Sequence, residues 1–159
     1  MAVITHAQRR SNLSQMIDKP GGVSIGVALT QARANIEAKR GEAAAVVDAQ
    51  ILALESIAAP ASPAELTARL EQAYHAANAV IDAASPFELD DLCRASAGLC
   101  DVIDAAQPGQ AFDWRIVTVH ARSLRLLQTL PLEETMARTQ VLESLKQILT
   151  KKLPPKELG

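Results

Sequence analysis

From Ser24 to about Ala58, apolar residues recur at alternating steps of four and three. Ile25, Leu29, Ala32, Ile36, Ala43, Val47, Leu54 and Ala58 carry the pattern, with Arg40 and Gln50 as its polar members. That spacing is a heptad seam, rich in alanine and imperfect. It predicts one long helix, with Gly41 as the place where a break would fall, because an interior glycine costs about 1 kcal/mol against alanine. A continuous helix of ~35 residues would span ~50 Å. A compact chain of this size is only ~40 Å across. Such a helix must protrude or pair along its length, as in a homodimer.

Further boundaries follow from capping chemistry. In "PASPAEL", Ser62 is placed as N-cap, Pro63 at the first helical position and Glu65 at the third, which is a capping box with the favoured proline. This helix is expected to run to about Ala84, with Leu66, Leu70, Ala73, Ala77, Ile81 and Ala84 facing inward. "SPFEL" repeats the device with Ser85, Pro86 and Glu88, so a third helix is expected at once, continuing to about Ala106. Leu92, Ser96, Leu99 and Ile103 form its stripe. The Pro-Gly of "QPGQAFD" marks a loop. Asp113 then caps a fourth helix, and Pro131 ends it or opens a fifth, "LEETMARTQVLESLKQILTKK". Residues 1–10 have no clear period and read as an arm. "SNLSQMID" reads as a short helix, and Gly21 and Gly22 as a hinge after it. The expected architecture is all-α: an arm and short helix over 1–22, then a bundle of four to five helices over 23–159.

Composition agrees with helix and adds a constraint. Hydrophobic residues make up 48% of the chain and aromatics only 3%. A core of Ala, Leu, Ile and Val favours close helix packing over a large ligand pocket. The net charge of -2 gives no reason to expect nucleic acid as a partner. The charge is uneven: +2 over residues 1–20, -7 over 21–110 and +3 over 111–159. An acidic middle between basic ends favours compaction or head-to-tail association. Arg9, Arg10, Arg122, Arg125, Lys151 and Lys152 are the candidates for contact with an acidic partner. Cys93 and Cys100 share a helical face but stand ~10 Å apart along it, too far for a disulfide within one helix. They read as reduced core cysteines of a cytoplasmic protein. No apolar run is long enough to predict a signal peptide or a membrane span.

Candidate chemistry is sparse. "KPGGVSIG" places glycines before a helix, where backbone N–H groups bind anions. A phosphate loop needs its lysine after the glycines and a strand before them, and Lys19 precedes them. The three histidines lack the i, i+4 spacing of a zinc site, so no metal or cofactor is expected. Asp90 and Asp91 are adjacent and point in different directions. Ser11 and Ser14 lack a nucleophile elbow. Non-enzymatic function is therefore expected. His120, in "IVTVHARSLRLL" with Arg122 and Arg125 nearby, is the one candidate phospho-acceptor. Histidine phosphotransfer domains carry lysine three residues and glycine four residues after the histidine, and Ser123 and Leu124 stand there instead.

"SNLSQMIDKPGG", the Ala-rich helix after it and "VLESLKQILTKKLPPKE" carry a resemblance of another kind. Together they resemble the small helical CheE-type proteins of some alphaproteobacterial chemotaxis operons. The resemblance implies a cytoplasmic accessory of chemotaxis signalling that works through protein partners. It brings no catalytic residues with it.

Overall fold

The computed structural model describes residues 21–107 and 110–152. Six helices make up the described chain: α1 (Ile25–Ala38), α2 (Arg40–Ser56), α3 (Pro63–Ala84), α4 (Asp90–Asp104), α5 (Arg115–Thr129) and α6 (Thr135–Lys152). The fold is an all-α helical bundle, with no strand among the described residues and one helix more than the upper expectation. The chain divides between Asn35 and Ile36 into two compact units. The expected arm and short helix lie outside the described residues.

The single long helix expected over 24–58 is instead two. The interruption falls at Lys39, not at Gly41. The Lys39 N–H bonds to the carbonyl of Ile36, three residues back, and so the regular i−4 ladder is lost there. Charged side chains bracket the step: Arg40 binds Glu37, and Lys39 binds Glu42 at 2.9 Å. Gly41 lies just inside α2 with nothing near the position a Cβ would take.

In the larger unit, α4 packs against α3, α5 and α6, while α2 packs against α3 and α5. The core follows the apolar period. Val47, Ile51 and Leu54 come from α2, and Ala73, Ala77 and Val80 from α3. Leu92 and Leu99 of α4 meet Leu124 and Leu127 of α5 and Leu142 and Leu145 of α6 in the same cluster. Alanines on α3 and α4 leave room for close helix approach, and Gly98 takes this furthest. A Cβ there would meet Leu149 Cδ1 of α6 at 2.9 Å.

The two Ser-Pro-x-Glu signals have different outcomes. Pro63 does open α3, and α3 does end at Ala84. Its capping box is not closed, however. Ser62 makes no side-chain cap, and Glu65 reaches back to the Ala61 N–H at 3.3 Å. Ser85–Phe87 is a single 3₁₀ turn, and α4 begins only at Asp90. Glu88 adopts a left-handed φ of 57°, which turns the chain between α3 and α4, two helices that pack on each other. The N-cap position of α5 is Trp114, which makes no side-chain cap, and not Asp113 as expected; Asp113 stands one residue earlier, its Oδ1 accepting from the Arg115 N–H at 3.2 Å.

The feature the pattern did not announce is Arg138 on α6. It is only 4% exposed. Its Nε donates to Asp91 Oδ2 at 2.6 Å, and its Nη1 donates to the carbonyls of Leu127 and Leu130, each at 2.8 Å. One guanidinium thus joins the first turn of α4 to the last turn of α5, where a cation also complements the helix dipole. Arg125 performs a similar task nearer the surface, holding Asp48 and Glu55 of α2.

Two stability changes follow. Arg138→Ala leaves a carboxylate and two carbonyls without their donor and is expected to cost about 3 kcal/mol or more. Arg138→Lys should recover less than half of that loss, because an ammonium cannot reproduce the fork. Gly41→Ala should stabilise the fold by about 0.5–1 kcal/mol, since the site is an open helical position. Urea unfolding of each variant measures both effects.

Candidate functional site

His120 lies on the apolar stripe of α5, one turn after Ile116 and one turn before Leu124, and its side chain is 0% exposed. Its Nδ1 stands 2.8 Å from the Ile116 carbonyl, which assigns the proton to Nδ1. Nε2 is buried and without a hydrogen-bond partner among the described residues. Burial pushes its proton affinity down, and the Ile116 carbonyl only partly opposes this. A neutral ring sealed in the core cannot meet an aspartyl phosphate on another protein. The phospho-acceptor expectation for His120 is therefore corrected: the residue packs.

The arginines near it separate. Arg122 is exposed, whereas Arg125 is consumed by Asp48, Glu55 and the Gln128 side chain. Arg125 is thus an internal tie between α5 and α2, and not the contact for an acidic partner that the sequence led us to expect. Lys151 is exposed at the end of α6. Arg9, Arg10 and the Lys152 side chain lie outside the described residues. Gly21 has φ of 100°, a turn conformation that side chains rarely adopt, and Gly22 beside it is exposed.

Cys93 and Cys100 are both free thiols. Burial, followed by the charges of Asp104 and Asp101, pushes the Cys100 thiol up to about 11, so it stays protonated and unreactive near neutral pH. Among the described residues no group of His, Cys, Asp and Glu could hold a metal ion. No described helix is long and apolar enough to cross a membrane.

A concave feature joins described residues that no sequence motif connects. A half-open groove of about 990 Å³ runs between the start of α3, the end of α4 and the segment leading into α5. Leu66 and Tyr74 of α3, Ile103 of α4 and Phe112 form its apolar wall, each half-buried against the core. Among the described residues its charged lining is Glu71, Asp104 and Asp113, with no lysine or arginine. Asp113 is bound by Arg115 at 2.9 Å, and Glu71 stands 3.8 Å from His75 Nε2. The small-grained core had argued against a space of this size. The space arises at the bundle's end, where two helices stop and a loop replaces a third wall.

No protein-family model matches the sequence, and neither a curated protein nor a solved structure does.

The buried imidazole gives a pH prediction. The folded state binds the His120 proton less readily than the unfolded chain does, so this residue's stability contribution is complete above the unfolded pKa of ~6.5 and falls as pH drops through it, by at most about 1.4 kcal/mol per pH unit. NMR of the His120 ring in the native protein should show a neutral Nδ1–H tautomer near neutral pH, with a titration midpoint below that of the unfolded chain. Incubation with a phosphorylated response regulator should leave no acid-labile phosphate on this residue.

Proposed function

We propose that this chain is a non-enzymatic interaction module that works by docking one helix face, with a second copy of itself as its first partner. The observation that supports this reading is α1. None of its residues is buried. Ile25 is 80% exposed and Leu29 54%, and Ala32 is exposed on the same line. At ~100° per residue, these positions and Ile36, the next step on the helix, fall within one narrow stripe. The spacing alternates four and three, as a coiled-coil seam requires. An isolated helix of 14 residues is marginal in water, so a partner surface is what such an element needs.

The resemblance to CheE-type proteins extends the reading to an accessory of bacterial chemotaxis, acting in the cytoplasm on protein partners. The burial of His120 removes the support for a phosphotransfer reading. Docking, with apolar anchors and charged surroundings, is the mode the sequence and the exposed helix both favour. Gene neighbourhood bears on the chemotaxis part: adjacent receptor or histidine kinase genes support it, and their absence in every genome that carries the gene removes it.

Sedimentation velocity tests the pairing. The unmodified chain should sediment as a dimer at micromolar concentration. Ile25→Asp combined with Leu29→Asp should make it a monomer whose larger unit still unfolds cooperatively, because neither side chain contributes to the core, and whose thermal midpoint no longer depends on protein concentration. A monomer in both cases removes the paired-helix proposal.

A further inference from the structure

The groove at the end of the bundle has an electrostatic property that its own helices do not offset. Asp101 and Asp104 occupy the last turn of α4, and that turn has no basic residue. A helix C-terminus already carries a partial negative charge, so carboxylates there are unfavourable for the fold. Their field reaches the Cys100 thiol, which burial and then Asp104 and Asp101 hold in its protonated form. Among the described residues neither acid has an ion-pair partner. Across the groove, Glu71 adds a further exposed carboxylate. Of these acids Glu71 and Asp104 line the groove, so its rim is negative, while Tyr74, Ile103 and Phe112 present an apolar wall beside them.

We propose that this groove docks a basic amphipathic peptide segment of a partner protein. Lysine or arginine side chains of the segment meet Glu71, Asp104 and the α4 C-terminus, and its apolar side chains rest on Phe112 and Tyr74. Charge complementarity selects the occupant. An acidic or neutral segment would leave the α4 C-terminal charge unopposed, and a basic one relieves it. About 990 Å³ reaches the top of the range of small-molecule pockets, and the groove is open along one side, which suits a row of side chains more than an enclosed ligand. This site belongs to the larger unit and is independent of pairing through α1.

Trp114, the chain's one tryptophan, stands edge-on to Phe112 at 6.5 Å and reports occupancy through its emission. The probe is a synthetic amphipathic helix of Lys, Leu and Ala of about 14 residues, with a matched peptide carrying Glu for Lys as its counterpart. The full chain should bind the Lys peptide saturably and the Glu peptide not at all. Asp104→Lys combined with Glu71→Lys should weaken binding about tenfold or more, and Phe112→Ala should weaken it comparably. Asp82→Lys, an exposed reversal outside the groove, should leave it within about twofold. Asp104→Lys should hold or raise the thermal midpoint, which separates lost binding from lost folding. Equal weakening by Asp82→Lys, binding of the Glu peptide or the absence of saturation overturns the proposal. A tenfold gain on removal of residues 153–159 also overturns it, by assigning the groove to the chain's own C-terminal sequence.

Discussion

The buried guanidinium of Arg138 is the contact on which the larger unit's helix arrangement depends. Hydrophobic burial drives α4, α5 and α6 together, but apolar stripes alone fix neither their axial register nor their ends. Arg138 fixes both. It binds a carboxylate at the start of α4 and the last carbonyls of α5 from one position on α6. A charge this deeply buried is tolerated only with its donors engaged, so any slide of α6 that broke these bonds would leave a desolvated cation. Leu142 and Leu145 then fall against the core, and Leu149 lies over Gly98. The backbone approach at Gly98 and the sealing of His120 beside it are consequences of that register.

Much of this was legible locally. The apolar period showed the helical face over 24–58 and over the next two helices, the Pro-Gly loop, Asp113 and Pro131 bounded the last two, and Pro63 marked the start of α3 to the residue. What failed did so for tertiary reasons. Ser85-Pro86-Phe87-Glu88 carries the same letters as a helix start, yet the chain must turn there to pack α4 on α3, and a 3₁₀ turn with left-handed Glu88 does this in few residues. At Lys39 the seam continues in the sequence while the hydrogen-bond ladder does not. Periodicity reports which face is apolar and says little about whether every backbone bond is made.

The site residues divide in the same way. A signal for burying His120 was present, because it sits in step with Ile116, Leu124 and Leu127 on the apolar stripe. Its basic neighbours Arg122 and Arg125 lie off that stripe, so their charge says nothing about the exposure of His120. Arg125 and Arg138 could not be separated from surface cations by sequence, since their partners lie 77, 70 and 47 residues away. The groove was invisible for a related reason: its wall is assembled from three separate stretches, and its space is made by where helices end.

Charge distribution connects these observations. The sequence places acid in the middle of the chain and base toward its C-terminal end, and the fold brings the two together. Arg125 and Arg138 come from the basic third and neutralise Asp48, Glu55 and Asp91 of the acidic middle. Compaction thus consumes three of the middle's acids at the α2–α5 contact and at the start of α4, both remote from the end of α4. Among the described residues Asp101 and Asp104 receive no such partner. The fold therefore relieves acidic repulsion where its helices meet and retains it where α4 stops. Retained charge of this kind, set against an apolar wall, is a cost to the isolated chain that a basic surface can remove.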